Sequence, residues 1–128
     1  MSQADIETLR AEYEAIGRKD FFRSVHPDFE LKTPGPDVWT TAHGPDEARQ
    51  TFEDFFGPYE EVEIEPQEFF ERGDWIVVFF LMRSRPRGST AVVEIRAAHL
   101  WTMRDGRAAR LEIFPRREKA LEAAGISQ

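Results

Sequence analysis

The chain has 128 residues, a formal net charge of −7 and no cysteine. That length suits one domain able to bury its own core without staples, and the missing thiols exclude disulfides and thiolate chemistry and fit a reducing compartment. The acidic balance sets the chain against phosphate backbones, so nucleic acid is not an expected partner.

The first residues, Met1 to Asp5, show no basic region followed by an apolar run, and the longest apolar stretch is Ile76 to Met82. Neither a signal peptide nor a membrane span is expected, since a span needs about 20 apolar residues, and the cytoplasm is the expected location. Ile6, Leu9, Tyr13 and Ile16 recur at helical steps, which predicts an amphipathic helix over Ala4 to Ile16 with Gly17 as its C-cap. Asp20 is placed to cap a short second helix that buries Phe21, Phe22 and Val25 and stops at Pro27. Phe29 and Leu31 alternate with Glu30 and Lys32 as in a short strand, and Thr33-Pro34-Gly35-Pro36-Asp37 reads as a turn-rich loop. A third helix starts near Pro45, has Asp46 and Glu47 in its first turn, presents Ala48, Phe52, Phe55 and Phe56 on its apolar face, and ends at Gly57-Pro58.

Beyond Pro58 the period changes to two. Val62 and Ile64 alternate with Glu61, Glu63 and Glu65, and the Glu-rich run from Glu60 to Glu71 fits the solvated face of an edge strand. Gly73-Asp74 marks a turn, and Trp75 to Arg85 is a strand. Pro86 to Ser89 is a turn, Thr90 to Met103 a long strand, Arg107 to Pro115 its return, and Arg116 to Ala124 a terminal helix. Helices first and a strand meander after them predict an α+β fold in a single continuous domain.

A two-residue loop at Arg87-Gly88 would pair Met82, Phe80, Val78 and Ile76 with Val93, Ile95, Ala97 and His99. A three-residue loop at Arg104-Asp105-Gly106, with Gly106 left-handed in a G1 bulge, would set His99 opposite Leu111 and Ala97 opposite Ile113. Both choices gather the apolar residues on one face, with His99 as the one ionisable group among them. The opposite face collects Arg83, Glu94, Arg96, Arg110 and Glu112, mixed with Phe79, Leu81 and Leu100. A one-residue bulge within the long strand would overturn that assignment.

The order of several segments is similar to the SnoaL-like polyketide cyclase family, within the nuclear transport factor 2-like and ketosteroid isomerase-like superfamily. Those segments are Tyr13-Glu14-Ala15-Ile16 with Asp20, His26-Pro27-Asp28, the run from His43 to Ala48, Gly73-Asp74, the run from His99 to Arg107, and the run from Glu118 to Gly125. The resemblance covers the whole chain through order and spacing rather than through one specific motif. It implies a cone-shaped fold, with a curved, mostly antiparallel sheet wrapped around N-terminal helices, an apolar pocket open at one end, and a short C-terminal helix. Activity is implied much less, because such folds serve cyclases, isomerases, dehydratases, epoxide hydrolases and proteins that only bind or assemble. In the steroid isomerase branch a carboxylate base follows the first strand. The matching position here is around Thr33, which cannot act as that base. The position of that branch's oxyanion-binding acid matches His99.

His99 is therefore the first candidate for catalysis. A neutral imidazole donates and accepts, its reference pKa of about 6.5 suits proton transfer, and burial would lower that value. The competing reading is a core histidine bonded to a backbone group or to Tyr13. Tyr13, on the buried stripe of the first helix, is a candidate second donor, with packing as the alternative. Trp101 and Met103 share the face of His99 as pocket walls or core, and Phe52, Phe80 and Leu111 are candidate ligand contacts on the same side. Trp39, after the Pro-Gly-Pro loop, is either a lid that stacks on ligand or a loop anchor. His43 reads as structural and His26 as a solvated loop residue. No HxxxH or HExxH spacing links the histidines, so no metal site is expected, and no GxGxxG or P-loop pattern suggests a nucleotide.

The expectation is a small apolar ligand, cyclic or polyketide-like, held in the cone without a cofactor. If the protein is catalytic, aldol cyclisation or isomerisation through proton transfer would follow. The alternatives are a non-catalytic carrier or assembly domain, and a structural dimer whose cone is filled by Phe. A cavity of roughly 300 Å³ or more distinguishes an open cone from a filled one. The mixed outer face suits a homodimer.

Overall fold

The structure, a computed structural model, describes residues 3–35 and 38–127. In chain order the elements are α1 (Gln3–Gly17), β1 (Glu30–Pro34), β2 (Trp39–His43), α2 (Gly44–Phe56), β3 (Tyr59–Arg72), β4 (Trp75–Pro86), β5 (Val93–Arg104), β6 (Arg107–Phe114) and α3 (Arg117–Ala124). The strands form one curved six-stranded sheet in the order β2-β1-β6-β5-β4-β3, with β1 parallel to β6 and the remaining pairs antiparallel. This is the expected α+β architecture. The inner face of the sheet wraps α1, α2 and the segment between α1 and β1, and Leu9, Tyr13, Ile16, Phe21, Phe22, Phe29 and Phe52 belong to the core there. No helix among the described residues is long and apolar enough to cross a membrane.

The expected second helix is absent. Residues 20–29 form bends and a turn, and Phe22 adopts a left-handed φ of 56°. Phe21 and Phe22 are both buried, and side chains hold their backbone instead of helical bonds. The Phe22 N–H donates to Glu12 Oε2 at 3.1 Å, and Arg49 donates to the carbonyls of Phe21 and Phe22 at 3.1 and 3.4 Å. Asp20 is no cap, and its Oδ1 accepts from Arg23 Nε at 2.8 Å. The left-handed residue that closes α1 is Lys19, at φ 60°, rather than Gly17.

Thr33 and Pro34 belong to β1 rather than to a loop, Gly35 lies at the turn toward Val38, and Pro36 and Asp37 lie outside the described residues. Trp39 begins a strand that periodicity did not suggest. At the other edge, β3 is bulged between Tyr59 and Glu61 and between Pro66 and Glu68. Pro66 brings no N–H to the ladder opposite Phe80, and Arg117 Nη2 donates to the Phe80 carbonyl at 3.0 Å from outside the sheet.

The expected registers of the meander were each two residues off. The β4–β5 connection runs over residues 87–92 rather than two residues, so Met82 pairs Ile95, Phe80 pairs Ala97 and Val78 pairs His99. The β5–β6 turn is tighter than expected. Asp105 and Gly106 have φ of 55° and 76°, the signature of a type I′ turn, and Arg104 pairs Arg107. Alone, that turn would swap the faces of β6. The register shift between Thr102 and Met103 leaves Ala109 unpaired and restores them, so Trp101 pairs Leu111 and His99 pairs Ile113. A slip of two residues preserves every side chain's face, so the expected inner face stands.

Part of the outer face is covered by α3. Ala120, Leu121 and Ala124 of α3 pack on Val77, Phe79, Ala98 and Leu100, and the Arg117 guanidinium lies 4.9 Å from the centre of the Phe79 ring. Of the apolar residues on this face, Phe79, Leu81 and Leu100 are each under one-tenth exposed and Phe114 is half-buried. This explains why Ile76 to Met82 is apolar throughout: β4 is buried on both faces.

Candidate ligand site

The register sorts the inward side chains into rows. His99 lies in a row with Val78 and Ile113. On one side follow Phe80 with Ala97, then Met82 with Ile95; on the other lie Ile76, Trp101, Leu111 and Leu31. A cavity of about 470 Å³ occupies the rows from His99 outward. Ile16 of α1 and Phe52, Phe55 and Phe56 of α2 close it from above, and its only hydroxyl-bearing lining residues are Thr33 and Thr51. Phe55 and Ile95 are 52% and 37% exposed, which puts them at the mouth. Phe55 was expected among the buried residues of its helix; its ring packs instead across Phe56 and Tyr59.

His99 forms the polar part of the inner wall. Trp101 Nε1 donates to the Tyr13 hydroxyl at 2.8 Å, and that hydroxyl lies 2.7 Å from His99 Nδ1. With the Tyr13 oxygen accepting from Trp101, we assign the Tyr13 hydroxyl proton to His99 Nδ1, the acceptor within reach, so that both hydrogen bonds of the hydroxyl are used. The imidazole proton is thereby assigned to Nε2. Burial pushes the His99 pKa down to about 3 from the usual 6.5, and pushes the Tyr13 phenol well above its usual value of 10.0. Both groups are neutral across the physiological range. The trio is also packed ring to ring: Tyr13 stacks on His99 at 5.6 Å, and Trp101 meets both edge-on at 5.8 Å. The site thus offers His99 Nε2–H on a wall that is apolar apart from the hydroxyls of Thr33 and Thr51, and no carboxylate lines the cavity among the described residues.

The residues singled out from the sequence fall into three groups. His99, Phe52 and Phe80 line the cavity. Tyr13, Trp101, Met103 and Leu111 do not; all four are under 4% exposed in the core beyond the His99 row, where Tyr13 and Trp101 reach the cavity only through the imidazole. Trp39 is not among the residues that line the cavity. It pairs with Pro34 one residue from the Thr33–Thr40 pair, so its ring points to the other face of the sheet and packs 5.2 Å from Phe114. His43 engages Glu30 at the surface; His26, expected to be solvated, is instead largely buried, its Nδ1 accepting from the Asp28 N–H at 3.0 Å and its Nε2 lying 3.3 Å from Arg104 Nε, and no metal-binding group of side chains occurs among the described residues.

Glu12 was missed. It is 8% exposed on the buried stripe of α1, and burial raises its pKa from 4.5 to about 7 despite the hydrogen bond from Phe22. The signal was present in the sequence: position 12 lies three residues after Leu9 and four before Ile16, so it shares their face. Glu12 faces a cleft beside Asp20, Arg23 and Ala108, away from the His99 cavity.

The SnoaL-like domain profile matches residues 9–111. The chain belongs to the SnoaL-like domain family. Small-molecule binding proteins and cyclases or isomerases share this fold group. Among solved structures, TerC co-crystallised with polyporic acid is 25% identical, with 96% of this chain and 99% of that chain covered and a TM-score of 0.77. A nuclear transport factor 2-like protein of unknown function from Burkholderia pseudomallei K96243 is 26% identical, over 95% and 97% of the two chains, with a TM-score of 0.74. A protein of ketosteroid isomerase-like fold from Catenulispora acidiphila DSM 44928, in complex with trimethylamine, is 11% identical over 99% and 96%, with a TM-score of 0.71. No curated protein matches the sequence.

Proposed function

We propose that this SnoaL-like protein holds a small, neutral, apolar carbonyl compound in the cone, with His99 Nε2–H donating to the carbonyl oxygen. The observation that carries the reading is the Trp101–Tyr13–His99 chain ending on a cavity of about 470 Å³. Two oriented hydrogen bonds fix the tautomer so that a donor, not an acceptor, faces the ligand. A cavity of this size lies within the range that small-molecule sites occupy.

The chemistry available there is carbonyl polarisation. A donor in a dry apolar wall is worth more to a developing enolate oxygen than to the ground-state carbonyl, which is how an oxyanion site favours isomerisation or aldol ring closure. A histidine with a pKa of about 3 is a poor general base near neutrality. Among the described residues no lining carboxylate is present to abstract a carbon-bound proton, and Thr33 supplies none. Catalysis would therefore need the substrate's own acidity, or a base on the ligand. The specific observation of a donor without a base supports a second reading: a carrier that binds the carbonyl compound without turning it over. Polyporic acid, seen with TerC, is a natural first probe beside 2-acetonaphthone, a neutral aryl ketone.

The test is ¹⁵N-resolved NMR of His99 during titration with each probe, together with a turnover assay by proton exchange at the ketone's α-carbon. Binding should shift His99 Nε2 and leave Nδ1 in place; exchange faster than in buffer would select the catalytic reading. Saturable binding that leaves His99 Nε2 unmoved would refute the assignment.

A further inference from the structure

Three polar side chains line the cavity, His99, Thr33 and Thr51, and the carbonyl contact uses only the first. The sheet places Thr33 relative to His99. In the parallel β1–β6 ladder Leu31 pairs Leu111 and Lys32 pairs Glu112, so the next step of that register sets Thr33 beside Ile113. Ile113 in turn pairs His99 across the antiparallel β5–β6 ladder. Thr33, Ile113 and His99 therefore occupy one row across three strands, and all three line the cavity. Leu31, two residues before Thr33, lies in the inner core, which gives Thr33 the same face.

Neighbouring strands lie about 4.8 Å apart, so the backbones of Thr33 and His99 stand about 10 Å apart with Ile113 between them. A hydrogen bond of about 3 Å at each end leaves roughly 4–10 Å between two ligand oxygens, set by the angle of approach. The opposite ends of one aromatic ring, or of two fused rings, fall within that span. The chemistry of the two ends differs. His99 Nε2–H donates. The Thr33 hydroxyl both donates and accepts. Thr51 Oγ1 gives its proton to the Glu47 carbonyl at 2.9 Å, so toward the cavity it accepts. A ligand hydroxyl uses this threonine end in full, because it accepts from Thr33 and still has a proton to donate to a threonine oxygen.

We infer that Thr33 is the second polar anchor of the cavity, and that it selects an aryl ketone bearing a hydroxyl at the ring end opposite its carbonyl. This rests on the cone being a ligand site with His99 at the carbonyl, and it narrows the ligand from a neutral carbonyl compound to one with oxygens at both ends of a flat apolar body. The side chain of Ile113, between the two anchors, lies under that body. A neutral hydrogen bond exchanged against water contributes modestly, so the added hydroxyl should lower Kd about fivefold.

Calorimetric titration at pH 6.5 with 2-acetonaphthone and 6-hydroxy-2-acetonaphthone tests this. Wild type should bind the hydroxy compound about fivefold more tightly than the parent. Thr33→Val keeps the branched shape and removes the hydroxyl, so the ratio of the two affinities should fall to about one. Thr33→Ser keeps the hydroxyl and should preserve the ratio. Thr33→Ala makes the same comparison if the valine variant fails to fold. Equal affinity of wild type for the two compounds would overturn the anchor and leave the cavity reading intact. A hydroxyl advantage that survives Thr33→Val or Thr33→Ala would overturn the assignment to Thr33. Failure of both compounds to bind would remove the cavity reading, and the anchor with it.

Discussion

Replacing Tyr13 by Phe removes one oxygen and breaks two buried hydrogen bonds. The hydroxyl sits between Trp101 Nε1 at 2.8 Å and His99 Nδ1 at 2.7 Å, and both partners are under 4% exposed. Neither can turn to water, so the variant leaves one orphaned donor and one orphaned acceptor, each costing about 1–3 kcal/mol. The expected loss is about 2–6 kcal/mol, far above the ~0.5 kcal/mol of an ordinary surface substitution. Urea unfolding at pH 7 measures it. A parallel ¹⁵N spectrum of wild type should show Nδ1 unprotonated, Nε2 protonated, and no His99 titration down to about pH 4, given a pKa near 3. The sign is set by burial. A folded-state pKa below the unfolded value means the unfolded chain takes the proton first, so His99 costs stability as pH falls below 6.5, levelling near 3. A Tyr13→Phe cost below ~0.5 kcal/mol, or a His99 that titrates near its reference value of about 6.5, would refute both the hydrogen-bond chain and the donor it orients.

Two further outcomes follow from the fold. Glu12 has a folded pKa of about 7 against 4.5, so the folded chain keeps a proton that the unfolded chain releases, and stability falls as pH rises from 4.5 to 7. Glu12→Gln keeps an acceptor for Phe22 N–H. It should stabilise by ~3 kcal/mol at pH 8 and by almost nothing at pH 4.5 in urea titrations; a pH-independent effect would contradict the assignment. Gly106→Ala places a side chain at φ 76° with nothing within 4 Å of its Cβ, so the cost is backbone strain alone. A loss of about 1–2 kcal/mol with an unchanged cavity is expected, and a neutral substitution would rule out the type I′ turn.

Much of the site was legible because strand faces have a period of two. Errors of two residues in both hairpins left Met82, Phe80, Val78 and His99 pointing inward, so the lone histidine of the inner face was identifiable before its neighbours were. Ala109 shows how narrow that success was. Its bulge compensates a turn one residue shorter than expected, and either feature alone would have turned Leu111 and Ile113 outward. The 20–29 segment was misread because a capping residue followed by buried aromatics has the same pattern whether helical bonds or side chains satisfy its backbone. Glu12 and Arg49 do so here from elements far away in sequence.

The sequence by itself determined the α+β class, the inward face of the meander and the isolation of His99 upon it, because local periodicity and family spacing carry that information. Tertiary structure alone decided which proton His99 keeps, since that depends on Tyr13, which lies 86 residues from His99 and 88 from Trp101 in sequence. It also decided that Trp101, Met103 and Leu111 lie in the core beyond the cavity wall, that the Trp39 ring packs on Phe114 rather than lining the cavity, and that α3 covers Val77, Phe79, Ala98 and Leu100 of the outer sheet. Row position and helix docking are properties of long-range packing, and no local pattern encodes them.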